Sequence, residues 1–117
     1  MTTAVGLIRR GDIFLVDFSP ARSNEADFTR PAVVVTNNAS NAQNVVITVV
    51  PLTSNTARVY SFQLLLPNER TDLDADSKAQ VEQLRSVALS RVLRRLGHIP
   101  EDLMRELDSR IRLHLGL

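Results

Sequence analysis

The sequence contains no cysteine. Disulfides, thiol nucleophiles and thiolate metal sites are therefore excluded. No apolar run approaches the length of a membrane span, and Met1 to Gly11 has no long apolar stretch of the kind a secretion signal needs. A cytoplasmic protein is the expectation. A strong charge of either sign is missing too: 14 Lys and Arg against 13 Asp and Glu leave a net charge of +1. The overall balance thus does not advertise nucleic-acid binding. Lysine is nearly absent, since Lys78 is the only one and the other 13 basic residues are arginine. Arginine suits bidentate phosphate contacts and stacking on bases, but GC-rich codon usage also explains the choice. The arginines are scattered and form no single basic stripe.

What the chain does have is enough apolar matter for a core. Its 117 residues are 44% hydrophobic, which suits one domain over 1–117. No repeat, low-complexity tract or Pro/Gly linker divides it. Asp12 to Phe18 alternates as a strand does, and Ser19 to Thr29 reads as a long polar loop. Pro31 to Thr36 reads as a strand with proline tolerated at its first position. Asn37 to Asn44 reads as a turn, Val45 to Leu52 as a central apolar strand and Thr53 to Val59 as a loop. Tyr60 to Leu66 is a fourth strand, and Asp76 to Val87 one or two more. Ser90 to Leu96 suggests a short helical turn. The period then changes: Leu103, Leu107 and Ile111, with Met104 and Leu115 on the same face, predict an amphipathic helix closed by Gly116. Short strands followed by one helix predict a mainly β (α+β) fold, a small antiparallel barrel with a C-terminal helix.

Two stretches carry functional groups at strand ends. Arg30-Pro31 runs directly into a buried-type strand, and Pro51-Leu52-Thr53-Ser54 is the polar exit of another. An arginine fork beside a hydroxyl suits a phosphate. Each residue alone reads equally as an ordinary surface or strand-end residue. Glu25 alone is a surface charge. In Glu82-Gln83-Leu84-Arg85, a core-facing Leu84 would put Gln83 and Arg85 on the opposite face, where glutamine reads base edges and arginine holds phosphate. A plain solvated strand face is an equal reading.

Asp72, Asp74 and Asp76 imitate the start of a calcium loop, but the glycine and glutamate that complete one are replaced by Ser77 and Gln83. His98 and His114 lack a metal-binding pattern. No metal and no cofactor are expected.

Taken in order, these residues resemble the MazF/PemK toxin family. The resemblance runs through Arg10-Gly11-Asp12-Ile13-Phe14-Leu15-Val16-Asp17-Phe18, Pro20, Glu25 and Arg30-Pro31-Ala32-Val33-Val34-Val35. It continues through Asn41, Val49-Val50-Pro51-Leu52-Thr53-Ser54, Asp76-Ser77, Gln83-Leu84-Arg85-Ser86-Val87, Leu96-Gly97 and Leu113 to Leu117. It implies an SH3-like barrel, a homodimer, and metal-independent cleavage of single-stranded RNA under the control of a cognate antitoxin. It also implies attack by the RNA 2′-hydroxyl, leaving 2′,3′-cyclic phosphate and 5′-hydroxyl ends. By the same resemblance Arg30 and Thr53 are catalytic, and Glu25, Ser54, Glu82, Gln83 and Arg85 line or border the RNA groove. One departure concerns the loop Ser23 to Thr29, which has no glycine where the family usually carries some, so the target sequence does not carry over. The rival is a CcdB-type toxin of the same fold, which poisons gyrase and cuts no RNA. The Arg30-Pro31 and Pro51 to Ser54 motifs favour the nuclease.

Overall fold

The structure is a computed structural model that describes residues 6–19, 28–43 and 45–117. Seven strands form one curled antiparallel sheet: β1 (Asp12–Asp17), β2 (Thr29–Val34), β3 (Val46–Thr53), β4 (Leu64–Leu66), β5 (Ser77–Ala79), β6 (Arg85–Ala88) and β7 (Val92–His98). A short helix α1 (Asn38–Gln43) bridges β2 and β3, and α2 (Glu101–Leu115) ends the chain.

The curl follows from β3. Its Val49 to Pro51 stretch pairs with β2, while its other edge serves two partners in turn, β6 from Val46 to Val49 and β5 at Leu52 and Thr53. One strand shared this way must bend, and the sheet closes part-way into a barrel. Alternation along β1, β2 and β3 sends side chains to two cores. Phe14, Val16, Ala32, Val34, Ile47 and Val49 pack on one side. Ile13, Val33, Val50 and Leu52 pack on the other, against Leu103, Met104 and Leu107 of α2. Arg10 and Asp108 add a two-bonded ion pair, at 2.5 and 3.2 Å, between the turn before β1 and α2.

Several sequence expectations shift. β2 starts at Thr29, so Pro31 is its third residue and Arg30 lies inside the strand. The β3 ladder begins only at Ala32, so Pro31 sits where pairing on that side ends. Asn37 to Asn44 contains a helical turn instead of only a loop, because the Asn37 side chain accepts from the Ser40 N–H at 2.9 Å and caps it. Tyr60 to Phe62 is a turn, leaving only Leu64–Leu66 as strand. Ser90 to Leu96 is helical only at its start; from Val92 it is β7, drawn into the sheet by β1. Leu115 is exposed, since α2 runs past the core it packs on.

Gly97 belongs to this packing. A Cβ there would meet the Thr71 carbonyl oxygen at 2.0 Å. Only glycine lets the turn before β5 lie against β7 this closely.

Candidate active site

Arg30 continues the face of β2 that carries Ala32 and Val34. Thr53 continues the face of β3 that carries Val49 and Pro51. The β2–β3 register pairs Ala32 with Pro51, and extending it two residues sets Arg30 opposite Thr53. The two strands part there, so neither side chain is covered by a further pair. Both are half-buried.

Arg30 is held on two sides. Its Nε and Nη2 donate to the Leu52 carbonyl at 3.3 and 3.1 Å, so the guanidinium rests on the backbone of the residue before Thr53. Nη2 also donates to the Gln80 side-chain oxygen. Gln80 is itself anchored, through its N–H to the Pro51 carbonyl at 2.9 Å. Among the described residues nothing accepts from Nη1, which leaves that end of the fork for a ligand. The Thr53 hydroxyl accepts from the Asn55 N–H at 3.2 Å, so its own hydrogen is free to point at an anion.

Arg85 shares the same face. It lies opposite Val49 in the β3–β6 pairing, and its guanidinium sits over the Phe18 ring at 5.2 Å from the centroid. Phe18 leads into the segment before Arg30. The start of that segment is fastened by Arg91, which donates to the carbonyls of Asp17 and Ser19 at 3.2 and 2.6 Å. The Ser19 hydroxyl and backbone N–H donate to the Asp17 carboxylate and hold its pKa below the ordinary carboxylate value.

The remaining sequence candidates are spread out. Ser54 is exposed just beyond Thr53. Gln83 ends a single 3-10 turn over Val81–Gln83 and is exposed, not a strand neighbour of Arg85. Leu84 does pack against the core. Glu82 turns toward Gln63, which donates to it at 2.8 Å, and its other oxygen is buried without a partner. Glu25 lies outside the described residues. Sequence reading missed Gln80. It stands 50 residues from Arg30, and no local pattern marks it. Among the described residues no group of three or more His, Asp or Glu gathers where it could hold a metal ion. No helix among them is long and apolar enough to cross a membrane.

This arrangement, an arginine on one strand end facing a threonine on the next, coincides with a family match. The family of PemK-like, MazF-like toxins of type II toxin-antitoxin systems matches residues 9–115. The chain belongs to this toxin family. It is 49% identical over 116 residues to Endoribonuclease MazF9 of Mycobacterium tuberculosis, covering 95% of this chain and 98% of that protein. MazF from Deinococcus radiodurans superposes with a TM-score of 0.77 at 26% identity, over 95% of this chain and 98% of that one. A MazE–MazF structure from the same organism gives 0.78 at 25% identity, over the same shares. The PemK/MazF resemblance and the half-barrel with its C-terminal helix are thus both borne out.

Proposed function

We propose that this PemK/MazF-family toxin is a sequence-specific endoribonuclease that cuts single-stranded RNA without a metal. The observation that carries the reading is the Arg30 fork resting on the Leu52 carbonyl, beside Thr53. The 49% identical relative, named an endoribonuclease, supports it. The rival gyrase-poisoning reading has no use for an arginine fork and a free hydroxyl at one strand junction.

RNA brings its own nucleophile. When the 2′-hydroxyl attacks the adjacent phosphorus, the bond to the 5′ oxygen of the next nucleotide breaks. The products are a 2′,3′-cyclic phosphate and a 5′-hydroxyl. Negative charge builds on the non-bridging oxygens in between, and fixed donors aimed at them lower the barrier. Arg30 Nη1 and the Thr53 hydroxyl are those donors. A guanidinium is a poor base, so its role here is charge stabilisation. Gln80 positions Arg30, and Arg85 with Phe18 borders the path of the RNA, offering a cation and a ring to neighbouring nucleotides. The exposed Ser54 and Gln83 are available to border the RNA as well.

Activity should survive excess EDTA. Activity lost in EDTA and restored by magnesium or zinc would refute the metal-free step. Deoxyribose at the cut site should abolish cleavage there, and continued cutting would identify water as the nucleophile. Gln80→Ala should lower kcat more than it raises KM, by less than loss of Arg30 itself; a change in KM alone would make Gln80 a binding residue instead.

The protein is proposed to act in the cytoplasm as a homodimer, with RNA between the subunits. A cognate antitoxin would bring an acidic, partly disordered tail with apolar anchors to the Arg30 and Arg85 side of the groove. Light scattering at micromolar concentration should report the dimer. A fully active monomer would exclude it.

A further inference from the structure

A cleft of about 440 Å³ opens where the ends of β2 and β3, the Asp72 to Ser77 turn and β7 come together. Thr53 and Ser54 form its lip, and Pro31, next to Arg30 in the chain, forms part of its wall. Leu52, Leu73 and Leu96 make about half of the wall apolar, while Asp72 and Asp74 on one side and Arg94 and Arg95 on the other put both signs of charge on it. Arg95 is paired with Asp12 at 2.7 Å, whereas Asp72, Asp74 and Arg94 take part in no ion pair among the described residues.

The acidic side of the cleft is a built wall. The Thr71 carbonyl lies against Gly97, where any side chain would collide with it, and accepts from the His98 N–H at 3.3 Å. The Asp76 carboxylate accepts from the Asn68 N–H at 2.8 Å, and the Ser77 hydroxyl donates to the Ala75 carbonyl at 3.2 Å. Asp72 is held at a φ of 64°, a conformation that residues with side chains seldom adopt. Among the described residues it is the only non-glycine with a positive φ.

The chemistry of the lining selects its occupant. With Arg95 already paired to Asp12, two unpaired carboxylates face one unpaired guanidinium, a balance that disfavours a phosphate. An apolar peptide anchor would leave carboxylates and guanidinium without partners. A nucleobase satisfies both demands. Its ring lies against the leucines, and its edge offers N–H donors to carboxylates and ring or carbonyl acceptors to arginine. The space is of the size that single small-molecule sites occupy.

We propose that this cleft receives one base of the RNA beside the cut, a base with an exocyclic amino group, and so helps determine which sequence is cleaved. The inference rests on the nuclease reading above. The base's amino hydrogens go to Asp72 or Asp74 and its acceptors to Arg94, so uracil, whose one edge N–H is flanked by two carbonyls that repel a carboxylate, is disfavoured.

The test is cleavage of a randomised RNA pool, with ends mapped by sequencing, by the wild type and by Asp72→Asn, Asp74→Asn and Arg94→Gln. The readout is the ratio of cut frequencies among the four bases at each position, which is independent of overall rate. Asparagine tolerates the left-handed conformation at 72, and the other two side chains are exposed, so the fold is kept and circular dichroism verifies it. The expected result is a preference for an amino-bearing base at one position flanking the cut, reduced about 5- to 100-fold in at least one variant. Unchanged preferences in all three folded variants overturn the proposal. Unchanged preferences combined with weaker inhibition by the antitoxin also overturn it, assigning the cleft to the antitoxin. A wild-type protein that cuts none of the pool refutes the nuclease reading itself, and the base pocket with it.

Discussion

Arg30→Ala is expected to lower RNA cleavage by about 100- to 1000-fold, the usual effect of removing one donor aimed at a transition-state oxyanion. The effect falls mainly on kcat, because the charge that Arg30 meets is largest in the transition state. The fold survives. Arg30 is only half-buried, and what it leaves behind is the Leu52 carbonyl and the Gln80 side chain. Arg30→Lys is also expected to be poor. Two of the guanidinium nitrogens are spent on Leu52 and Gln80, and an ammonium cannot hold those partners and still present a separate donor to the phosphate. Thr53→Ala removes the second donor and should cost a similar factor, without a further change in structure. Single-turnover cleavage of a short RNA measures each rate, and thermal unfolding checks the fold. Near-normal cleavage by Arg30→Ala would place the chemistry elsewhere.

Gly97→Ala is expected to be the most damaging small substitution in the fold. Its Cβ would lie 2.0 Å from the Thr71 carbonyl oxygen, and that neighbour is backbone, which cannot swing aside as a side chain can. Either β7 leaves β1, where Gly97 pairs with Ile13, or the Thr71 turn lifts away. Overpacking costs about 1–3 kcal/mol in general, and this contact belongs at or above the upper end. For a domain of this size, 3 kcal/mol corresponds to a drop in Tm of roughly 10 °C or more. Lifting the turn would also move Asp72 and Asp74, so sequence preference should loosen in whatever protein remains folded. A Tm within a degree or two of the wild type would show that the turn yields freely and that the wall of the cleft is not rigid.

The substitution also separates the two sites. Arg30 and Thr53 are positioned by β2, β3 and Gln80, and neither hydrogen-bonds to the Thr71 turn among the described residues. A Gly97→Ala protein below its Tm should keep metal-independent cutting while losing discrimination between bases.

Much of the fold was legible in the sequence because its signals are local. The alternation in Asp12 to Phe18 and the apolar run Val45 to Leu52 mark β1 and β3, and the four-residue spacing of Leu103, Leu107 and Ile111 marks α2. Gly116 ends α2 in the left-handed conformation, at a φ of 74°, as a glycine in that place should. The placement of Arg30 and Thr53 near strand ends was legible for the same reason. Each lies where an apolar strand turns polar, and the order of such features along the chain singles out the toxin family. What tertiary structure alone decided is whatever depends on partners far away in the chain. The stretch from Val92 is a strand because β1 offers it hydrogen bonds, against the helical suggestion of its own residues. Gln80 reaches Arg30 across 50 residues because β5 follows β3 where β3 leaves β2. Glu82 faces Gln63, and Gln83 faces solvent, because a single 3-10 turn replaced the strand that would have aligned Gln83 with Arg85. The cleft joins Pro31, Thr53, Asp72 and Arg94, which no window of sequence contains together. Composition and periodicity report what one segment buries, and the curl of the sheet decides which segments meet.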